Sequence, residues 1–234
     1  ARDRLGDKPL YYGWQGNTFL FGSELKAMRV HPAFIGALDR CALVLLLRHN
    51  YVPDPFSIYE GIRKLPAGTW LRLGGGSQEA QPVAYWSLAQ VAERGVARPF
   101  HGSEAEAVLE LEHVLGDAVQ RQMLADVPLG ALLSGGVDSS LITALMPARS
   151  PRPVRTFTIG FEEKEFDEAV HARAVAAHLG TEHTELRLSS QDALNLIPYL
   201  PDIYDEPFAD SSPLPTYLVM KLAREHVAAA LSGD

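Results

Sequence analysis

Cysteine is almost absent from this sequence. Cys41 is the single cysteine among 234 residues, so an intrachain disulfide is excluded and the composition suits a reducing compartment. Cys41 stands in an apolar stretch of helical character, where a small buried side chain is favoured over a nucleophile. We therefore expect no thiol chemistry from this chain.

Long hydrophobic runs and a basic surplus are missing as well. The longest apolar run, residues 41–47, is far shorter than the roughly 20 residues that span a bilayer. Lys and Arg number 21 against 29 Asp and Glu, which gives a net charge of −8 and no cationic excess to neutralise nucleic-acid phosphates. The opening residues 1–8 carry charges where a signal peptide has an apolar core. These absences predict a cytoplasmic protein that binds neither nucleic acid nor membrane.

Short strands and turns dominate the sequence up to about residue 100. Gln15-Gly16-Asn17 between two apolar runs predicts a β-hairpin. Ser23 and Asp39 stand where a side chain caps the first turn of a helix. Residues 87–102 are predicted to form a solvated connector to a second domain.

Strands and helices alternate from residue 103 onward. Ser103 and Glu106 form a capping box at the start of a long helix. Strands are predicted at residues 130–133, 155–161, 184–188 and 227–231. Helices are predicted at residues 139–146, 167–179, 191–200 and 215–226, with Asp167 as a helix cap. Alternation of this kind predicts an α/β fold with a doubly wound parallel sheet.

The strongest chemical signal is the segment Ser134-Gly135-Gly136-Val137-Asp138-Ser139-Ser140, which stands where a predicted strand meets a predicted helix. Open α/β sheets bind ligands at this edge. The glycines let the backbone approach a ligand closely, while amides, hydroxyls and the helix N-terminus attract anions. Asp138 is an anion in this setting, which fits a magnesium ion that bridges it to phosphates. The segment predicts a polyphosphate site, and the alternative is a glycine turn with a serine cap.

The same segment carries a family resemblance. Residues 134–139 resemble the SGGxDS pyrophosphate loop of the N-type ATP pyrophosphatases, and residues 126–133 are similar to the asparagine synthetase family in particular. Residues 2–12 and 23–27 resemble the end of that family's N-terminal-nucleophile glutaminase domain. The resemblance therefore covers both halves of the chain.

A β-rich remnant of a glutaminase domain, followed by an adenine nucleotide alpha hydrolase-like sheet, is the architecture that the resemblance implies. Residues 1–100 then form the C-terminal part of the glutaminase (class II amidotransferase) domain plus a connector, and residues 101–234 the N-terminal part of the ATP-pyrophosphatase domain. Because the sequence begins without methionine and stops within a predicted strand and its loop, we expect a fragment of a longer enzyme.

The resemblance also implies roles for single residues. The residues expected to hold the ATP phosphates are Ser134, Gly135, Gly136, Val137, Asp138, Ser139 and Ser140. Asp138 is expected to bind Mg²⁺ and to take part in catalysis. Backbone groups expected around the adenosine belong to Leu132, Ile159, Ser232 and Gly233. Asp234 is expected to assist the chemistry, at a position where the family often has glutamate.

Two further segments resemble the family's region near the acyl-substrate site. They are Tyr204-Asp205-Glu206-Pro207 and Asp210-Ser211-Ser212-Pro213. Their polar groups either bind aspartate or belong to a loop whose Asp and Ser residues cap the next helix.

The reaction implied is that of a ligase, an ATP-dependent amidation of aspartate to asparagine through β-aspartyl-AMP. Glutamine hydrolysis supplies the ammonia, AMP and pyrophosphate are released, and the full-length enzyme is expected to be a homodimer. Two alternatives are a related amidotransferase or β-lactam-type synthetase that acts on another carboxylate, and a non-catalytic nucleotide-binding protein. The complete segment with Asp138 favours an enzyme over the last of these.

Glutaminase activity is expected to be absent from this chain. A glutaminase of the implied type has its nucleophilic cysteine at the mature N-terminus, whereas the single cysteine here is Cys41. An enzymatic assay for glutamate should show the same background rate for the chain and for a Cys41→Ser variant. A higher rate in the parent chain would contradict the prediction.

Overall fold

A computed structural model describes residues 1–74, 81–147, 150, 153–161 and 168–233. The chain divides into two units, each described by itself below. The first unit comprises Ala1–Pro99 and Tyr199–Asp210, and the second comprises Phe100–Pro198 and Ser211–Asp234. The sequence did not predict that the chain returns to the first unit at Tyr199. The predicted cap Asp167 and the predicted catalytic Asp234 lie outside the described residues.

The helices and strands are named in chain order. Up to residue 99 they are β1 (Tyr11–Gln15), β2 (Thr18–Gly22), α1 (Leu25–Arg29), α2 (Arg40–His49), β3 (Ile62–Lys64), β4 (Thr69–Trp70), β5 (Val83–Ala84) and α3 (Leu88–Ala97). They continue with α4 (Glu104–Gln122), β6 (Leu129–Leu132), α5 (Val137–Leu145), β7 (Arg155–Phe161), α6 (Ala169–Leu179), β8 (Glu182–Leu188), α7 (Ser190–Leu196), α8 (Leu200–Ile203), α9 (Pro213–Arg224) and β9 (Ala229–Leu231). None of the described helices is long and apolar enough to cross a membrane.

An antiparallel sheet with strand order β2-β1-β3 organises the first unit. Gln15 pairs with Thr18, so Gly16 and Asn17 form the turn and the predicted hairpin is confirmed. Gly16 has a φ of 60°, which glycine adopts without strain in such a turn. Buried side chains of β1, β2, α1 and α2 pack into one hydrophobic core. A separate two-stranded sheet pairs β4 with β5.

Two predictions about α2 have different outcomes. Asp39 caps this helix as predicted, because its Oδ1 accepts hydrogen bonds from the amides of Cys41 at 2.8 Å and Ala42 at 3.2 Å. Cys41 itself is exposed, so the prediction of a buried thiol is wrong. In the first turn of α2, Ala42 is buried in the core and Leu43 packs against it.

The starts of α1 and α3 differ from their predictions. Glu24, not Ser23, is the N-cap residue of α1, and the first amides of this helix donate to the carboxylate of Asp205. The connector predicted at residues 87–102 contains α3, which Ser87 caps. No residue of α3, all of which is described, is buried. The segment is therefore solvated as expected, but it is helical.

A four-stranded parallel sheet with strand order β8-β7-β6-β9 forms the centre of the second unit. The predicted doubly wound α/β fold is confirmed. β6 comes first in the chain and lies between β7 and β9, so the strand order reverses at β6. Such a reversal leaves a crevice at the carboxyl ends of the strands, where open sheets bind ligands. The segment 134–140 follows β6 and begins at this crevice.

Helices cover both faces of the parallel sheet. Ala131 packs in a cluster with side chains of α4 and α5, and Leu133 packs with α6. Leu132 points to the opposite face, because side chains alternate along a strand. It packs there with Phe157 and with Leu222 of α9. This two-sided burial agrees with the unbroken apolar runs of β6 and β9, whereas the edge strand β8 carries several charged residues.

Prolines account for the shifted limits of two helices. α9 begins at Pro213, two residues before its predicted start, because proline lacks only an amide that has no partner at a helix N-terminus. The helix predicted at residues 191–200 ends at Leu196, and a short 3-10 helix follows at Ile197–Tyr199. Pro198 within that stretch cannot donate the amide hydrogen that a continuing α-helix needs.

A polar cluster links β7 to the start of β8 in the second-unit sheet. The hydroxyl of Thr156 is 2.9 Å from the hydroxyl of Thr181 and 2.9 Å from Nδ1 of His183. Burial lowers the pKa of His183, the charge of Glu185 raises it and the charge of Arg173 lowers it, with a net lowering. The Nε2 atom of His183 is buried and has no hydrogen-bond partner among the described residues. Burial in this cluster therefore favours the neutral form of His183.

Acidification is expected to destabilise the protein through His183. Its pKa is lower in the folded chain than in the unfolded chain, so the unfolded chain binds more protons below the ordinary histidine pKa. This contribution to stability is complete above that value and is lost as the pH falls from there through the lower pKa of the folded chain. Urea unfolding at pH 7.5 and 5.5 should show a larger loss for the parent chain than for His183→Gln. Equal losses would contradict the prediction.

Candidate functional site

The loop after β6 depends on a close backbone approach. Gly135 has a φ of +83°, and a Cβ atom added there would lie 2.6 Å from the backbone nitrogen of Ala172 in α6. A side chain at this position would therefore collide with a helix backbone as well as strain the loop. Glycine allows the loop to pass directly against α6.

Two serine side chains fix the shape of the same loop. The hydroxyls of Ser134 and Ser139 are 2.9 Å apart. The amide of Ser134 donates to the Ser139 hydroxyl at 3.3 Å, and the amide of Gly136 donates to the Ser134 hydroxyl at 3.3 Å. The contacts between the two hydroxyls hold the turn in place. Their role at the phosphates stays a prediction.

The N-terminus of α5 presents its amides without a capping side chain. Gly136 is the N-cap residue and makes no side-chain cap hydrogen bond. The amides of Val137, Asp138 and Ser139 come first in the helix, where N–H groups lack intrahelical acceptors. Together with the helix dipole they create partial positive charge at this point. Such a helix start is suited to an anion.

A second predicted segment meets the loop here. Gly233 follows β9, and a Cβ atom added to it would lie 2.5 Å from the backbone nitrogen of Ser139 and 2.9 Å from the carbonyl carbon of Asp138. The pair Ser232-Gly233 is thus brought against the first turn of α5. The structure places together two segments that stand far apart in the sequence.

A cavity of about 600 Å³ opens beside the loop, within the second unit. Leu132 and Ile159, both predicted to surround an adenosine, lie in its wall at the carboxyl ends of β6 and β7. Ser134 belongs to the wall as well, so the cavity and the loop share a residue. An apolar cavity with a few polar groups is the usual form of a small-molecule site.

The start of α9 supplies the part of this wall that the motif did not predict. Ser211, Leu214 and Thr216 line the cavity, and Glu168 before α6 lines it too. Ser211 belongs to a segment that the family resemblance had already associated with an acyl substrate. The other segment of that resemblance behaves differently, because the carboxylates of Asp205 and Glu206 bind groups of the first unit.

Magnesium fits this site only as an ion shared with a ligand. Asp138 stands in the first turn of α5 with an exposed side chain. The described residues contain no group of three or more side chains able to hold a metal ion. Mg²⁺ commonly binds through one or two carboxylates together with substrate phosphates and water. One exposed carboxylate at a helix start suited to an anion fits that requirement.

Comparison with known proteins gives matches along the whole chain. A family model described as asparagine synthase matches residues 110–234, and one described as glutamine amidotransferase domain matches residues 1–86. The chain is 32% identical over its full length to asparagine synthetase (glutamine-hydrolyzing) 1 of Bacillus subtilis, of which it covers 35%. It is 37% identical over its full length to a Methanocaldococcus jannaschii protein that carries the provisional name asparagine synthetase (glutamine-hydrolyzing) 2, of which it covers 44%. The chain thus spans less than half the length of these relatives.

Solved structures give a weaker match. An NH3-dependent NAD synthetase from Campylobacter jejuni is 15% identical, covers 50% of this chain with 51% of its own, and has a TM-score of 0.36. A likeness at this level has no bearing on function.

Gly135→Ala is expected to destabilise the chain by about 1–3 kcal/mol, because the added methyl group strains the loop and meets α6. Gly95→Ala is a matched control, since a Cβ atom there meets nothing within 4 Å and the residue lies in α3. The control should gain roughly 0.5–1 kcal/mol from helix propensity. Urea unfolding of both variants measures the difference, and equal stabilities would contradict the assigned role of Gly135.

Proposed function

The chain belongs to the asparagine synthase family, and on this premise we propose that it contributes the ATP-binding part of an enzyme that converts aspartate to asparagine. The observation that carries the proposal is the start of α5. Its amides lack a capping side chain, the Gly233 backbone approaches it closely, and the cavity opens beside it. In this proposal ammonia comes from glutamine hydrolysis in the full-length enzyme.

ATP is assigned to two adjacent parts of the second unit. Adenosine occupies the cavity, where Leu132 and Ile159 supply apolar wall. The triphosphate extends along the loop to the amides of Val137, Asp138 and Ser139, where the helix start attracts its charge. Ser134 belongs to the cavity wall and to the loop. It therefore marks the point where the adenosine would join its phosphates.

Asp138 is assigned to the metal that accompanies ATP. Its carboxylate would hold Mg²⁺ together with phosphate oxygens and water. Bound magnesium neutralises charge that accumulates on the phosphates during group transfer. Two residues after β9 complete the proposed site. Asp234 is proposed as the catalytic carboxylate, and Ser232 is proposed to contact the adenosine.

A free carboxylate is a poor acyl donor because it has no good leaving group. In the proposed reaction, adenylation gives it AMP as the leaving group. Attack of the substrate carboxylate on the α-phosphorus of ATP forms β-aspartyl-AMP and expels pyrophosphate. Ammonia then adds to the acyl carbon, and AMP leaves. The chain's own contribution is to orient ATP and to place amide dipoles where pyrophosphate charge develops, because positioned dipoles need no reorganisation during the reaction.

The division of the chain follows from the same assignment. Residues 1–100 are proposed as the C-terminal part of a glutaminase domain plus its connector. Residues 101–234 are proposed as the N-terminal part of the ATP-pyrophosphatase domain. The two family-model matches, at residues 1–86 and 110–234, support this division.

Pyrophosphate release from magnesium-ATP by the full-length protein tests the proposal. Release should require both aspartate and ATP, and asparagine should form when ammonium is added. If pyrophosphate release requires a different carboxylate, the assignment of the ATP site stands and aspartate is replaced as the proposed substrate. ATP binding without any carboxylate-dependent release would overturn the enzymatic assignment.

Asp138→Asn is expected to lower kcat/KM for magnesium-ATP by about 100-fold or more, since a charged group at the phosphates is lost. Asp126→Asn is the matched control, because Asp126 is exposed and precedes the amino end of β6. The control should stay within about twofold of the parent enzyme. Equal effects of the two substitutions on kcat/KM would contradict the assignment of Asp138 to the site.

A further inference from the structure

Glu168 is the one residue with a charged side chain among the described residues that line the cavity of the second unit. The rest of that described wall consists mostly of apolar side chains, together with the hydroxyls of a few serines and threonines. A ligand that fills the cavity displaces water from the carboxylate, and a charge without a partner is costly away from water. The group that pairs with Glu168 therefore indicates what the cavity binds.

The carboxylate of Glu168 makes no contact that would stabilise the fold of the described residues. Glu168 is the N-cap residue of α6, yet its side chain makes no cap hydrogen bond. The residue is exposed, and no hydrogen bond or ion pair of its carboxylate is found among the described residues. Its backbone carbonyl, in contrast, accepts the amides of His171 at 3.0 Å and Ala172 at 3.1 Å. The backbone of Glu168 thus belongs to the helix, whereas its side chain is available to a ligand.

Contacts of α6 place Glu168 beside the loop that follows β6. A Cβ atom added to Gly135 would lie 2.6 Å from the amide nitrogen of Ala172, and that amide donates to the carbonyl of Glu168. The first turn of α6 therefore lies directly against Gly135. Gly135 follows Ser134, which belongs to the cavity wall as well as to the loop. Glu168 is thus close to the point where the proposed function joins the adenosine to its phosphates.

The charge of the cavity wall favours an uncharged part of the ligand near Glu168. The described wall residues include no lysine, arginine or histidine that could bind an anionic group. Aspartate has more carboxylates than ammonium groups, so it would bring net negative charge toward Glu168 without a cation to balance it. Like charges repel most strongly where apolar walls exclude water. A nucleoside carries no net charge and therefore suits this wall better than an acidic amino acid does.

Ribose is the part of a nucleoside that best fits a carboxylate. It presents neighbouring hydroxyl groups that can donate, and an ionised carboxylate only accepts, with two oxygens. Hydrogen bonds from hydroxyls to a charged acceptor are shorter and stronger than those between neutral groups. Acidic side chains bind ribose in this way in dinucleotide-binding proteins, whose sheets are also parallel and open. Ribose hydroxyls and the Glu168 carboxylate therefore satisfy each other's hydrogen-bonding capacity.

We propose that Glu168 is a specificity-determining residue, which accepts hydrogen bonds from the ribose hydroxyls of ATP and thereby selects ribonucleotides over deoxyribonucleotides. The inference rests on the proposed function for the identity of the ligand as ATP. It goes further by giving a role to a side chain outside the loop motif, and by naming the sugar as the part of the ligand that is recognised. All of the residues that carry the inference belong to the second unit.

Binding of deoxynucleotides to the full-length protein tests this role. The Kd is measured for the magnesium complexes of ATP, 2′-deoxy-ATP and 3′-deoxy-ATP, without aspartate. The parent protein should bind at least one deoxy analogue about 10-fold or more weakly than ATP, as expected for the loss of a hydrogen bond to a charged group. Glu168→Ala should weaken ATP binding by a similar factor and leave the binding of that analogue unchanged. The preference for ATP should therefore disappear.

Three results would overturn the proposal. The first is a parent protein that binds all three nucleotides equally well. The second is an equal loss of affinity for all three nucleotides in Glu168→Ala, which is the result of a merely structural role. The third is a preference for ATP that the substitution leaves intact.

Glu112→Ala is the matched control. It also removes one exposed carboxylate from the second unit, but Glu112 lies in α4 and not in the described cavity wall. Its preference for ATP should equal that of the parent within about twofold. Glu168→Gln serves as the second variant if Glu168→Ala fails to fold. Glutamine keeps a neutral acceptor oxygen, so only part of the preference should remain, and a preference as large as that of the parent overturns the proposal.

Failure of this inference and failure of the proposed function are distinguishable. The Kd values need no turnover, so they decide the role of Glu168 even if aspartate-dependent pyrophosphate release is absent. A higher KM for aspartate in Glu168→Ala, with the preference for ATP unchanged, leaves the proposed reaction in place and overturns the ribose assignment. Absence of magnesium-ATP binding in the parent protein overturns both.

Discussion

Close approach of backbone to backbone is the constraint on which the site depends. Gly135 passes against α6 and Gly233 against the first turn of α5, at distances that a Cβ atom would make impossible. Because side chains are absent at these two points, the loop after β6 and the segment after β9 pack directly against helix backbones. The strand order β8-β7-β6-β9 brings both glycines to it, since they follow β6 and β9, which are neighbours in the sheet.

The sequence predicted the parts of the fold that depend on local signals. The caps at Asp39 and Ser103, the hairpin turn and the alternating strands and helices were confirmed because each needs only nearby residues. Leu132 and Ile159 lie in one cavity wall, and their role as adenosine contacts stays a prediction. A loop between a parallel strand and its helix must lie at the carboxyl edge of the sheet, so its place follows from topology.

Long-range contacts explain the features that the sequence did not predict. Ser23 satisfies the local pattern of a cap, yet a carboxylate 180 positions further along the chain binds the amides of α1. No residue near Ser23 in the sequence predicts that Asp205 is the partner of these amides. The pairing of Ser134 with Ser139 was missed for a related reason, because hydroxyls that suit an anion suit each other equally well. The predicted roles of Asp167 and Asp234 concern positions outside the described residues.

The return of residues 199–210 to the first unit has a consequence for how such enzymes are divided and recombined. A junction near residue 100 looks natural, since it falls between two recognisable modules. A chimera joined there would keep Lys64 from one parent and inherit its carboxylate partner, Glu206, from the other. The two matched segments therefore cannot be exchanged independently of each other. A junction near residue 100 therefore falls, in the sequence, between the two members of one ion pair.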